Sequence, residues 1–396
     1  MALLLCAAPR MACAFGFTSH SLPEVITKAD VVCIGTVGAI SSDSKASFDT
    51  GVFTGPKTAP YSIKAMLDIA DVAVESTLKG GPLPAHIRVA FAQNAPGNVR
   101  ILWAELTGGE RAIFFLKRNA QDGLFRLLYP SGDRETTIGL GPALLTLPSK
   151  QPTLLRTILL LLVQIVQSHA DIWARMDSLQ WLGSVGVLLY PDNHPKYYFE
   201  DIHLSPEQAR QALHETPDLE AFVTQNLLPV VRRAAHDPDW RVRGAAMQAG
   251  AALQDITLIP AIARNADADI RGSNTDHSLA GNAYWLTEYR VPTAVRPLIS
   301  LLSYDKPAVR GEAAGALRGI ADPLAIPFLL DRLSRETNTD VLVMDLRALH
   351  DCAGEKSFMP DYSIAGQTAK SVSYWRQWAI VHKAQVDALR AQYAGH

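Results

Sequence analysis

A chain of 396 residues, 48% of them hydrophobic, is long enough for two or three domains and too apolar for wholesale disorder. With 37 basic and 39 acidic residues, the formal net charge is −2, which leaves no electrostatic footprint for nucleic acid. The four cysteines, Cys6, Cys13, Cys33 and Cys352, form no CxxC pair and are too few for a disulfide scaffold. Cys33 and Cys352 are expected to be buried free thiols.

In chain order, Ala2–Ala8 is a short apolar run, and Ala12–Cys13–Ala14 has the small-x-small form of a signal-peptidase site. Residues 1–14 are therefore expected to be an export signal. Cleavage after Ala14 would leave Phe15 first and send the protein to the periplasm or beyond the cell. From about residue 30 to 130 the pattern is that of strands. Val31–Val37 is a β-branched run, Val72, Val74 and Ser76 alternate with Asp71, Ala73 and Glu75, and Ile87, Val89 and Phe91 alternate with polar neighbours. Period two puts one face in a core and the other towards water. Arg111–Lys117 and Phe125–Tyr129 add two short strands, and Gly80–Gly81–Pro82, Gly108–Gly109 and Asp122–Gly123 supply turns. Ser41–Pro60, rich in Ser, Gly, Thr and Pro, reads as a long loop. Residues 15–140 are expected to form a small β barrel or sandwich.

Four segments of this region, Ala29–Val37, Val72–Val89, Gly109–Lys117 and Asp122–Gly132, resemble bacterial exported domains related to the netrin and tissue-inhibitor-of-metalloproteinases (OB-like) fold. The resemblance covers about a hundred residues and is mostly structural. Such inhibitors chelate a protease metal through a cysteine at the mature N-terminus. Here Cys13 would have to come first, and Arg10 would then occupy a position that wants a small residue, so inhibition is not carried over.

Beyond about residue 150 the period becomes helical. Leu154, Ile158, Leu161, Leu162 and Ile165 make one stripe, and Ile172, Met176, Leu179 and Leu182 make another. Ile158–Val163 is far short of the roughly 20 apolar residues that span a bilayer. Pro191–Pro195 breaks the pattern, and helix starts follow at Ser205–Pro206–Glu207 and Thr216–Pro217–Asp218. Residues 141–225 are expected to be a helical connector or degenerate repeats.

The chain then repeats itself. Asp237–Leu253 and Asp305–Ile320 both carry an Asp turn, Val-Arg-Gly and a small-residue helix; Arg243 and Arg310 are 67 residues apart (310 − 243), two units of about 33. Ala266–Gly272 is a weaker copy in phase. Thr339–Asp351 is another, with Val341 in the Val slot and Leu342 replacing the Arg. Pro229, Pro260, Pro297 and Pro327 recur at steps of 31, 37 and 30, the long step holding an insertion around Gly272–Ser278. The Asp is expected to cap the second helix, the Val to face the hairpin core, and the Arg to reach the Asp of a neighbouring unit. One hairpin cannot cover its own apolar face, so stacking supplies the core. The pattern over residues 226–355 resembles HEAT repeats, particularly the type named after phycobilisome lyases. Residues 356–396, with Trp375 and Trp378 in a helical stretch, are expected to cap the last unit.

No GxSxG, GxxxxGK[ST], HExxH or CxxC motif occurs, and Gly139-x-Gly141 lacks the rest of a dinucleotide fingerprint. His214–Glu215 is a lone pair, whereas deoxyhypusine hydroxylase, a HEAT-like metalloenzyme, needs several. Asp267, Asp269, Asp276 and His277 match no calcium loop and read as a solvated turn. No catalytic, cofactor-binding or metal-ligating residue is assigned. Candidate partner-binding residues near the repeat turns are Trp240, Arg243, Tyr284, Trp285, Tyr289, Tyr304 and Arg310. The expectation is an α+β multidomain protein, a small β barrel or sandwich followed by an α-solenoid of HEAT-like hairpins. It is expected to be a non-catalytic, exported scaffold for a protein partner, with no nucleic acid and no membrane span. The alternatives are an exported protease inhibitor acting through the N-terminal domain and a bilin-lyase-like enzyme.

Overall fold

In a computed structural model of the chain, the residues described are 22–53, 61–92, 106–120, 122–128, 137–141, 145–149, 151–168, 171–191, 206–214, 216–266, 281–355 and 360–395. The candidate signal at 1–14 and the acidic insertion from Asp267 to His277 lie outside them, as does the Arg of the Ala266–Gly272 repeat.

Helix α1 (Leu22–Lys28) precedes six strands: β1 (Val31–Phe53), β2 (Tyr61–Lys79), β3 (His86–Ala92), β4 (Arg111–Arg118), β5 (Phe125–Leu127) and β6 (Thr137–Gly139). They pair in the order β1-β2-β3-β5-β4, and β4 returns to β1, so five strands close into a barrel; β6 adds to β4 beside β5. β3 and β5 run parallel and every other pair is antiparallel. Closure removes the free edges that a sheet of this size would otherwise expose.

The barrel wall has two buried faces where β1 meets β4. Val31, Cys33, Ala112, Phe114 and Leu116 point inward, against Val72, Val89 and Phe91. Their neighbours Val32, Ile34, Ile113 and Phe115 point outward, into a core shared with the helices. Covering both faces explains why VVCI and AIFFL read as unbroken apolar runs rather than as alternation. Cys33 and Cys352 are both buried free thiols, and burial pushes each up to about 12.

Ser41–Phe53 departs from the expected loop: it continues β1 and pairs with β2 from Ser41↔Ile69 to Phe53↔Tyr61. The polar composition gives weak strand propensity, but β2 offers a continuous antiparallel ladder, and cross-strand context outweighs propensity. Register shifts between Asp43 and Ser47 and between Asp49 and Val52 absorb the irregular residues as bulges.

The helical region opens with a hairpin, α2 (Leu154–Gln167) and α3 (Ile172–Gly183), followed by α4 (Gly186–Leu189), α5 (Pro206–His214) and α6 (Leu219–Phe222). A π turn at Val223–Leu227 joins α6 to α7 (Leu228–Ala234), which pairs with α8 (Trp240–Ala252). Next come α9 (Ile259–Asn265) with the 3-10 helix Gly281–Glu288, α10 (Val295–Leu301) with α11 (Pro307–Ile320), and α12 (Ile326–Arg332) with α13 (Thr339–Cys352). Helices α14 (Gln367–Val381) and α15 (Lys383–Ala394) end the chain. The second helices α3, α8, Gly281–Glu288, α11 and α13 pack side by side in that order. At the first joint the approach is so close that a Cβ on Gly183 would sit 2.9 Å from the Cα of Ala249.

The recurring prolines have a structural reason. The 3-10 turns Ile256–Leu258, Pro292–Ala294 and Pro323–Ala325 lead into α9, α10 and α12, and a π turn leads into α7. Pro229, Pro260, Pro297 and Pro327 lie within the first turn after each switch, where a missing N–H costs least.

One core runs from the outer barrel wall through α2 and α3 to α7 and α8, where it takes in Val242 and Ala246; Phe115 meets Trp181 at 6.3 Å between ring centres. A second core begins at Met247 and Ala251, on the other side of α8, and runs through Val309 and Leu346 to Trp375. Helix α8 is the joint between them. At the far end Trp375 is buried, Arg390 pairs with Asp331 at 2.6 Å, and Arg296 donates to Tyr393 O at 2.8 Å, so α15 crosses back over α12 and α10.

Candidate protein-docking face

The second helices begin alike. In α3, Asp171 accepts the Trp173 N–H at 2.9 Å; in α8, Asp239 accepts that of Arg241 at 2.9 Å; in α13, Asn338 accepts those of Asp340 and Val341 at 3.0 and 3.1 Å. In α11 the expected Asp cap fails, because Lys306 holds the cap position without a capping side-chain bond and Asp305 lies one residue too early. Pro307, which needs no acceptor for its nitrogen, lowers the cost of that loss.

Four residues past the cap, Arg175 turns back to the end of the preceding helix, and Arg243 and Arg310 turn back to carbonyls of the turn before their own helix. Arg175 Nε donates to Val166 O at 3.0 Å, Arg243 Nη1 to Asp237 O and Pro238 O at 2.7 and 2.9 Å, and Arg310 Nη1 to Tyr304 O and Asp305 O, both at 2.9 Å. For Arg175, a cation at a helix C-terminus is also favourable to the helix dipole. Among the described residues, two of the three are seen to reach the next unit. Arg175 forms an ion pair with Asp237, and Arg310 forks onto Glu336 with two bonds of 2.8 Å. The acid lies two residues before the next cap in both, and in the second it is Glu rather than the expected Asp. Arg332 joins the same cluster, pairing with Glu336 and, through Nε at 2.9 Å, with Asp345. These arginines hold Glu336 down to about 2, while burial pushes Asp345 up to about 7.

The seven sequence candidates therefore separate. Arg243 and Arg310 tie the turns and joints together. Trp285 and Tyr289 are core residues, and the Tyr289 hydroxyl donates to Asp255 O at 2.9 Å. Tyr304 packs against the second core. Trp240 and Tyr284 remain on the surface, 48% and 42% exposed, with Tyr284 edge-on to Trp285 at 5.4 Å. His214 is exposed, and Glu215 beside it lies outside the described residues. Among the described residues no group of His, Cys, Asp and Glu is arranged to hold a metal, and no helix is long and apolar enough to cross a membrane.

Side chains of three successive second helices meet over Gly315. A Cβ there would lie 3.4 Å from Thr287 Cγ2, 3.1 Å from Met344 Cε and 4.0 Å from Glu312 Oε2. Residues three apart eclipse in a 3-10 helix, so Tyr284 and Thr287 share one face, tied by the Thr287 hydroxyl donating to Tyr284 O at 2.8 Å. Glu312 and Gly315, three apart on α11, form the adjoining row. The Glu312 carboxyl is half-buried, no hydrogen bond or ion pair from a described residue reaches it, and burial raises it above the ordinary carboxylate range. Glu312 is not among the residues that the sequence singles out. Its one signal is that it stands alone as an acid in the small-residue run Gly311–Gly319.

Comparison with known proteins agrees with the repeat and adds little else. No curated protein matches the chain. An engineered protein of solved structure is 18% identical over 50% of this chain and 79% of its own, with a TM-score of 0.28, too low to bear on the fold. Residues 278–346 match the family model described as HEAT repeats, which places a HEAT-repeat region in the C-terminal half of the chain.

Proposed function

We propose that the protein is an exported, non-catalytic interaction protein whose stacked second helices dock a protein partner. The observation that carries this reading is the row of HEAT-type hairpins with an exposed aromatic ring, Tyr284, on its second-helix layer. Such stacks build extended binding surfaces from successive repeats, and exposed aromatics are the commonest anchors on them. Export rests on the apolar run Ala2–Ala8 and the small-x-small site at Ala12–Ala14. The barrel order β1-β2-β3-β5-β4-β1 with parallel β3 and β5 supports an OB-type reading of the N-terminal domain. Its β1/β4 wall, which packs on the helices, suits an anchoring role.

The test is site-specific photo-crosslinking in the native cell. The full chain carries benzoylphenylalanine at Tyr284 or, on the opposite helix layer, at exposed Ser300. A discrete protein adduct from position 284 and none from 300 is expected. Equal yields from the two positions, or none from 284, overturn the reading.

A further inference from the structure

We propose that Glu312, flanked by Tyr284, Thr287, Gly315 and Met344, is a subsite for one arginine side chain of the protein partner. This rests on the docking reading above and names the chemistry that the face selects.

Half-burying a carboxylate without a partner costs free energy, and folded proteins supply partners for nearly all such groups. The most deeply buried carboxylates of the stack are paired with cations: Asp255 with Arg232, Glu336 with Arg310 and Arg332, and Asp345 with Arg332; Glu288, also raised by burial, has the charge of Arg290 near it. Glu312 has none among the described residues; the Arg290 guanidinium packs instead on Gly319, two turns further along α11. A carboxyl group unpaired among the described residues, beside an exposed ring, is complementary to a cation arriving from outside.

The surroundings favour a guanidinium. The Glu312 row adjoins the row that carries the exposed Tyr284 ring, level with it one helix away, because Thr287 sits opposite Gly315 and both rows step back by three residues. A planar cation can fork onto the carboxylate and lie over the ring at once, which a hydrated ammonium does less well. The chain already uses both halves of that contact internally. Arg310 forks onto Glu336 with two bonds of 2.8 Å, and the Arg296 guanidinium lies 4.7 Å from the Tyr393 ring centre. Gly315 provides the floor. Any side chain there would press on Thr287 and Met344 and fill the space beside the carboxyl. The methyl ends of Thr287 and Met344 present apolar walls to the stem of a long basic side chain.

The experiment selects a phage library of random dodecapeptides against the intact protein, with counter-selection on Glu312→Gln. Arginine enrichment at one position of the recovered peptides is expected. In the best peptide, synthesised with that arginine or with citrulline, its neutral isostere, loss of the charge should weaken binding about tenfold or more, the scale of one charge-assisted pair. Glu312→Gln should weaken the arginine peptide by a similar factor and leave the citrulline peptide unchanged, so that the two effects are not additive. Tyr284→Ala should cost the arginine peptide severalfold, and Trp240→Ala nothing. Thermal melts of Glu312→Gln at or above the parent midpoint establish that the variant is folded. Recovery of no peptide, of peptides without arginine, or of peptides that bind Glu312→Gln as tightly as the parent overturns the subsite. Peptides that bind independently of Glu312 do so while leaving the docking face standing, and only the crosslinking result at position 284 decides that face.

Discussion

The barrel and the last hairpins bury their apolar residues by opposite means. In Val31–Ile34 of β1 and Ala112–Leu116 of β4 successive side chains go to two different cores, so this part of the wall is covered on both faces. In α11 and α13 one face is buried and the other is only partly covered by the described residues, at Gly315, Glu312 and Met344. The difference locates capacity in the molecule. The wall fixes the barrel to the helices through Phe115 and Trp181, and the stack, needing cover on one side only, keeps a face on which chemistry can vary without loss of the fold.

The strongest way to break that comparison is to charge the buried side of the stack. Val309 is fully buried between α10 and α11. Val309→Asp forces an unpaired carboxylate into the core and should cost upwards of about 4 kcal/mol. Circular dichroism should show loss of the cooperative melt of the helices; an unchanged melt would mean that Val309 does not face the core. For the barrel, adjacent residues serve. Phe115→Ala and Phe114→Ala should each cost about 3–5 kcal/mol by cavity formation. Hydrogen exchange should then separate them. Loss of Phe115 should speed exchange in α3, beside Trp181, and loss of Phe114 should speed it in β2 and β3. Identical exchange patterns would deny that the wall has two distinct faces.

How much of this was legible depended on whether the signal was local. Val242 and Val309 were placed in the core because a repeat displays the same slot twice. The Arg175 hairpin carries the same grammar, Asp171-x-x-Ala-Arg175, but Ala stands in the Val slot and 68 residues (243 − 175) separate it from Arg243, so it passed unnoticed. Ser41–Phe53 was misread because its strand character comes from its partner β2 and not from its own residues. Among site residues, Trp285 and Tyr289 were chosen as aromatics near turns, and nothing local distinguishes a core ring from an exposed one. Glu312 was invisible for a related reason: what makes it notable is supplied by Thr287 and Met344, residues of two other repeats.

The joints sharpen the comparison at a smaller scale. Glu336 is 1% exposed, and removing Arg310 leaves its charge buried with Arg332 alone. Arg310→Ala should cost about 3 kcal/mol, the low end for breaking a buried pair. Arg318→Ala, which frees Asp351 at a pair 37% and 30% exposed, should cost less than about 1 kcal/mol. Urea melts of the two variants with equal midpoints would remove the distinction between joint and surface.

The same cluster predicts a pH dependence of known sign. Asp345 is enclosed by Arg332 from α12, Glu336 from the turn and Arg310 from α11, and its Oδ1 has no partner among the described residues. Burial pushes it from 3.8 up to about 7, so the folded chain holds a proton that the unfolded chain releases near pH 4. Folding stability from this group therefore falls as pH rises from about 4 to about 7 and is level above that. Glu336, held down to about 2, acts in the other direction: its contribution is complete above about 4.5 and is lost on acidification towards 2. Asp345→Asn removes the first slope and keeps the second. Because Asn still accepts from Arg332, the gain above pH 7 should be about 2 kcal/mol, half the ~4 that the full window allows at 1.36 kcal/mol per pH unit. Denaturant melts at pH 5 and pH 8 decide it. The parent should lose stability between them relative to Asp345→Asn, and parallel profiles would assign the titration to another group.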